Sequence, residues 1–213
     1  MSICNNNSNI NSNKQNYLIN EIQKSQKSQK PNEIFNEESN VNEIFNEDYF
    51  KKGNESYKNK DYIRAKKYYL MAIDNGDPDA MFNLGFYYEE IEKDYALMKK
   101  YYLMAVDREH PYAMYNLAYY YKNIEKDYEL MKKYYLMAID KGDIDASYSL
   151  GHYYYSIEKD YEMMKKYYLI AINKNHADSM YNLAVYYKEI EKDYGLEVKY
   201  FKLYNETIAN NKN

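Results

Sequence analysis

KYYLMAIDNGDPDAMFNLGFYY, residues 67–88, decides the fold, because its parts return along the chain at one fixed interval. KYYLMA stands at 67–72, 100–105 and 133–138, and KYYLIA at 166–171. KDY recurs at 60–62, 93–95, 126–128, 159–161 and 192–194, each copy 33 residues after the one before. A fixed period of about 20–50 residues marks a stacked array of like supersecondary units, none of which buries its apolar face alone.

Within a unit the pattern is helical. Ala80, Leu84, Tyr88 and Ile91 recur at the spacing of one helix face. Glu92, Lys93 and Asp94 then break the pattern. Asp94 is a good N-cap for a second helix, since its carboxylate can accept an orphan backbone N–H. Asp61, Asp127, Asp160 and Asp193 repeat it. On the second helix Met98, Tyr101, Tyr102 and Ala105 form the next apolar stripe. Gly76 and Gly142 suit the left-handed residue that closes that helix; Asn175 is the next best choice and Glu109 a departure. Asp77-Pro78 supplies an N-cap and an N1 proline for the following helix, and His110-Pro111 stands at the corresponding place. The first unit has a turn one residue shorter than the rest. Tyr204 replaces the recurring Ala105, Ala138 and Ala171 where no helix follows, as a terminal cap would. The expected fold is all-α: an α-solenoid, a right-handed superhelix, of about five helix–turn–helix repeats with a 33-residue period, spanning 47–213.

Residues 1–46 differ. They are rich in Asn, Ser, Gln, Lys and Glu with few large apolar residues, the composition of a disordered tail. NEIFNE occurs there twice, at 32–37 and 42–47, either as paired docking motifs or as low-complexity slippage.

The remaining composition excludes several function classes. The formal net charge is −4, which opposes a general nucleic-acid binder needing a basic face. Cys4 is the one cysteine, so no disulfide forms within the chain and a reducing compartment is expected. The N-terminus reads as no signal peptide, and no apolar run approaches a membrane span; a soluble, cytoplasmic protein is expected. His110 and His176 lie in equivalent links and His152 stands alone on a helix; none has a Cys or a carboxylate at metal-ligand spacing that recurs with it, and there is no phosphate loop or nucleophile motif. The expectation is therefore no enzyme, no metal, no cofactor and no small-molecule substrate.

Residues 67–88 resemble the Sel-one-like repeat (SLR), a branch of the tetratricopeptide (TPR) superfamily. The resemblance rests on Tyr69, Ala72, Gly76, Ala80, Asn83-Leu84-Gly85 and Tyr88, and on the same pattern at Tyr102 to Tyr121, Tyr135 to Tyr154 and Tyr168 to Tyr187. Residues 49–72 look closer to the plain TPR form. The turn between the helices is shorter than is usual in SLRs and lacks their glycines. The phrasing MKKYYLMAI at 131–139 is similar to arrays encoded by giant DNA viruses.

With Leu84 at zero on a helical wheel, Ala80, Tyr88 and Ile91 fall within about 40°, whereas Phe82 and Phe86 lie about 160° away. A helix that is apolar on both sides has a second surface to cover. That surface repeats as three rows. Phe82, Tyr115, Tyr148 and Tyr181 form one; Phe86, Tyr119, His152 and Val185 another; Asn83, Asn116, Ser149 and Asn182 a polar ladder. A carboxamide both donates and accepts, so such a ladder can pair with the backbone of an extended peptide at about 0.5–1.5 kcal/mol per bond. The resemblance to TPR arrays implies the same use, on a concave wall. The competing reading is that Asn at a helix seam satisfies local groups. The paired lysines, such as Lys66/Lys67 and Lys99/Lys100, read as a solvated stripe balanced by nearby acids. The expected function is a protein-interaction scaffold or adaptor with a protein or peptide partner. The alternatives are a self-assembling structural repeat and, further off, an RNA-binding helical repeat.

Overall fold

A computed structural model describes residues 48–210; the expected tail, Cys4 and both NEIFNE copies lie outside the described residues. Ten α-helices are described and no strand. They are α1 (Tyr49–Lys58), α2 (Tyr62–Asp74), α3 (Pro78–Tyr87), α4 (Tyr95–Val106), α5 (Pro111–Tyr120), α6 (Tyr128–Asp140), α7 (Ile144–Tyr153), α8 (Tyr161–Ile172), α9 (Ala177–Tyr186) and α10 (Tyr194–Asn210). Each packs mainly on the helix before and the helix after it. No described helix is long and apolar enough to cross a membrane.

The helix starts follow the cap chemistry. Asp48, Asp61, Asp94, Asp127, Asp160 and Asp193 each accept a backbone N–H from the first turn of the following helix. Asp77 and Asp143 do the same for α3 and α7. At α5 and α9 the cap is a histidine: His110 Nδ1 accepts from Ala113 N–H at 3.2 Å, and His176 Nδ1 from Ser179 N–H at 3.2 Å. With Nδ1 accepting, the ring proton sits on Nε2, which faces Asp79 and Asp145 of the preceding first helices at 3.1 and 3.4 Å. The sequence reading put His110 at the place of the Asp77 cap and gave His176 only an equivalent link. Asp127→Ala is expected to cost about 1 kcal/mol of stability in urea titration, the usual worth of such a cap.

The second helices end as expected. Gly76, Glu109, Gly142 and Asn175 all have positive φ, from 61° to 88°. The first helices end differently from any pattern in the sequence. The backbone of Tyr88–Glu92, Tyr121–Glu125, Tyr154–Glu158 and Tyr187–Glu191 widens into one π turn each. A lysine in the left-handed region follows every time: Lys93, Lys126, Lys159 and Lys192, φ 55° to 59°. The N–H of the next Asp closes the turn on the carbonyl of the first tyrosine, Asp94 to Tyr88 at 3.0 Å for example. This is how the turn dispenses with glycine.

The π turn also aims a tyrosine. Tyr88, Tyr121, Tyr154 and Tyr187 stack on Tyr101, Tyr134, Tyr167 and Tyr200, with rings 5.5–5.7 Å apart and planes within 5°. Such pairs contribute about 0.5–1.5 kcal/mol beyond the area they bury. Beneath them Ala80, Leu84, Met98, Tyr102 and Ala105 and their copies are buried.

A recurring ionic contact binds each unit to the next. Lys66 reaches Glu92 at 2.8 Å, Lys132 reaches Glu158 at 3.2 Å, Lys165 reaches Glu191 at 3.0 Å, and Lys99 pairs with Glu125. Each of these carboxylates also accepts a tyrosine hydroxyl, from Tyr87, Tyr120, Tyr153 or Tyr186. The first lysine of every pair is thus a strap rather than part of a solvated stripe. The pairs are partly exposed, so each contributes at most about 1 kcal/mol.

Candidate functional site

The three rows lie on the first helices α3, α5, α7 and α9, where the helical wheel put them. Their surroundings separate them. Phe82, Tyr115 and Tyr148 are half-buried edges of the core. Phe82 stacks on Tyr102 at 5.6 Å and on His110 at 4.7 Å, and Tyr148 packs on Tyr168 at 5.9 Å and on His176 at 4.9 Å. Tyr181 packs on Phe201 and Tyr204 of the last helix and remains 45 % exposed. The next row stands further out: Phe86 is 38 % and Tyr119 52 % exposed, with His152 and Val185 half-buried. A small cleft of about 90 Å³ opens between His152, Tyr155, Tyr168, Asn182 and Val185.

The polar ladder is engaged within the array. Asn83 Nδ2–H donates to Asn54 Oδ1 at 2.7 Å, the oxygen that also accepts the Tyr69 hydroxyl at 2.9 Å. Asn116 donates to the Tyr102 hydroxyl at 3.2 Å, and Asn182 to the hydroxyls of Tyr148 and Tyr168 at 3.3 and 3.5 Å. The ladder therefore serves the buried tyrosines of the preceding second helices, directly from Asn116 and Asn182 and through Asn54 from Asn83. Ser149 is the exception: its hydroxyl meets Tyr115 at 3.3 Å. What the sequence reading missed is this Asn–Tyr coupling. Its signal was the repeated offset of 14 residues between Tyr102 and Asn116 and between Tyr168 and Asn182.

A glycine explains why the tyrosines differ. A Cβ at Gly85 would stand 2.6 Å from the Tyr102 ring, and one at Gly151 would stand 2.7 Å from the Tyr168 ring. At the equivalent place before Tyr135 stands Ala118. Tyr102 and Tyr168 lie nearly flat on Phe82 and Tyr148, at 25° and 23°, whereas Tyr135 is tilted by 57° against Tyr115. The Tyr102 hydroxyl donates to Glu89 Oε2 at 2.6 Å. The Tyr135 hydroxyl is buried and makes no hydrogen bond of ordinary length, although the Ser149 side chain interacts with it.

Charge on this face changes from unit to unit. Burial raises the Glu89 carboxyl, an effect the Tyr102 bond opposes. The equivalent residue one unit on is Lys122, whose ammonium is lowered by burial and then by Lys126. His152 is lowered by burial and then by Lys122. Among the described residues no group of three His, Cys, Asp or Glu could hold a metal ion.

These features define a helical-repeat solenoid whose first-helix side carries exposed rings over a buried tyrosine network. No protein-family model matches the chain, and no curated protein matches it. Solved structures do. It is similar to a Sel1 repeat protein from Oxalobacter formigenes, with 26 % identity over 69 % of this chain and a TM-score of 0.59. A protective antigen of uropathogenic Escherichia coli strains displaying an SLR fold gives 20 % identity over 66 % of this chain and a TM-score of 0.58. MamA gives 20 % over 75 % and 0.58. The chain spans 33 % of that antigen, 65 % of the Oxalobacter protein and 96 % of MamA. The chain has the helical-repeat fold of these SLR and TPR-like structures. Folds of this type generally bind protein partners and generally have no enzymatic activity of their own.

Proposed function

We propose that the first-helix face holds an extended segment of a protein partner. The observation that carries this is the outer row: Phe86 and Tyr119 stay exposed while tyrosines of the same helices are sealed into the core. Packing of the array leaves these rings uncovered, and large rings grouped on one face are the usual anchors of a protein interface. Phe82, Tyr115, Tyr148 and Tyr181 form the floor beneath the segment, and His152 continues the outer row. Asn83 and Asn116 retain a second N–H and a carbonyl for its backbone, and Asn182 a carbonyl, with Ser149 in the same line.

Peptides selected from a displayed library on the immobilised chain test this. They are expected to bind the Phe86→Ala/Tyr119→Ala double variant at least about tenfold more weakly, a difference of about 1.4 kcal/mol or more. Ile63→Ala, on the second-helix side and 85 % exposed, is the control. Selected peptides that bind all three proteins alike would remove the outer row from the site.

A second reading has one observation of its own. Leu70, Leu103, Leu136 and Leu169 form an exposed apolar row on the second helices. Self-association through it would appear as light scattering that grows with concentration and disappears in Leu103→Lys/Leu136→Lys.

A further inference from the structure

We propose that the small cleft among α7, α8 and α9 takes a carboxamide side chain, Asn or Gln, from the segment bound on the first-helix face. This rests on the peptide-binding reading above and names a residue type that the partner brings.

Two seams of the array share the same five positions. Where α3, α4 and α5 meet, they hold Phe86, Glu89, Tyr102, Asn116 and Tyr119. Two periods on, where α7, α8 and α9 meet, they hold His152, Tyr155, Tyr168, Asn182 and Val185. At the earlier seam the chain supplies its own acceptor: the Glu89 carboxylate takes the Tyr102 hydroxyl proton at 2.6 Å, and Asn116 donates to the same hydroxyl at 3.2 Å. The later seam keeps the tyrosine and the asparagine and loses the acid. Tyr155 stands in its place and packs on Tyr161, with ring centres 6.2 Å apart and Lys159 over the Tyr155 ring at 5.6 Å. Val185 is smaller than the tyrosine it replaces. What remains is a cleft of about 90 Å³ walled by all five of the later residues. That is far below the roughly 300–1,000 Å³ of a small-molecule site, and it suits the head of one side chain.

Its polar groups are defined. Tyr168 is 1 % exposed, and its hydroxyl accepts from Asn182 at 3.5 Å. Asn182 also donates to the Tyr148 hydroxyl at 3.3 Å. Among the described residues the Tyr168 proton meets no acceptor and the Asn182 carbonyl meets no donor. His152 is engaged by Ser156, whose hydroxyl donates to its carbonyl at 2.7 Å and lies 3.5 Å from its Nδ1. A donor and an acceptor thus stand side by side, and leaving buried groups of this kind unmatched is costly. A carboxamide matches both. Its oxygen accepts from Tyr168 as Glu89 does from Tyr102, and its N–H donates to the Asn182 carbonyl. The second lone pair of that carbonyl remains for the backbone of the segment. A carboxylate has no proton to give Asn182. None of the lining residues brings it a full positive charge, since burial holds His152 toward its neutral form. At the earlier seam burial likewise raises the Glu89 carboxyl.

The test selects short random peptides, displayed on phage, on the immobilised full chain and sequences the retained pool. Asn and Gln together are expected to be enriched about tenfold at one position of the aligned peptides, the usual worth of two neutral hydrogen bonds. Selection on Tyr168→Phe, which removes the donor, and on Val185→Phe, which fills the cleft with a ring, is expected to lose that enrichment. Val185 is half-buried, so its substitution tests the cleft without entering the core. Thermal melts establish that both variants are folded. A selected Asn peptide is expected to bind wild type about tenfold more tightly than its Leu and Asp analogues. Peptides that depend on Phe86 and Tyr119 but show no Asn or Gln enrichment overturn the cleft and leave the peptide reading standing. Failure to select any peptide overturns both. Asp or Glu enriched at that position overturns the carboxamide assignment. Enrichment of Asn or Gln that survives Val185→Phe moves the amide elsewhere on the face and overturns the site.

Discussion

Gly85→Val should lower the stability of the array by about 3 kcal/mol, the upper part of the range for overfilling a packed core. A Cβ at position 85 would stand 2.6 Å from the Tyr102 ring, inside any real contact distance. The ring cannot yield cheaply, because Tyr102 is fully buried, stacks on Phe82, and is tied by its hydroxyl to Glu89. Ala118 shows what one methyl does at this place: the ring behind it is tilted. Two further methyls on Val exceed what tilting can absorb. Urea titration followed by circular dichroism measures the loss. Gly195→Ala is the contrast, since a Cβ there meets only the Asp193 carboxylate at 3.3 Å. It should be close to neutral, and equal losses at the two positions would show that helix propensity, not the Tyr102 contact, governs both.

Tyr102→Phe and Tyr135→Phe should differ by about 2 kcal/mol and in sign. Each removes one hydroxyl from a fully buried ring. At Tyr102 that hydroxyl donates to a half-buried carboxylate and accepts from Asn116, so its loss leaves two groups unsatisfied. Hydrogen bonds to charged groups contribute about 1.5–3 kcal/mol, and partial hydration of Glu89 places the cost near the lower end. At Tyr135 the hydroxyl makes no hydrogen bond of ordinary length and only the Ser149 side chain acts on it, so deleting it is neutral or stabilising. Thermal melts of the two variants decide this. Equal losses would show that Tyr135 has a partner.

Much of the fold is legible in the sequence because caps and closures are local. Asp94 and its copies, Pro78 and the left-handed Gly76, Glu109, Gly142 and Asn175 need only their neighbours to act. The π turns are different. Widening a helix by one residue at Tyr88–Glu92 changes its register without altering the apolar spacing, so no periodicity reports it. The straps are hidden for another reason. Lys66 and Glu92 are 26 residues apart, and only folding makes them neighbours.

The site was legible by face and not by role. The helical wheel puts Asn83, Asn116 and Asn182 beside the aromatic rows, and there they lie. It says nothing about the second helix of the preceding unit, whose tyrosines claim those amides first. Phe82 and Phe86, four residues apart, share one face, yet only Phe86 clears His110, Tyr112 and Tyr102.

The straps have a consequence for how such a chain can lengthen or shorten. Each joins a lysine of one unit to a glutamate of the next in the same geometry. Deleting residues 107–139 would bring Glu158 to the distance along the chain that Glu125 has from Lys99, and the seam would close as before. Copying a unit would close two such seams. The array is therefore a cassette system, tolerant of recombination in whole units. The number of cassettes is a dial that genetic drift can turn without breaking the interior.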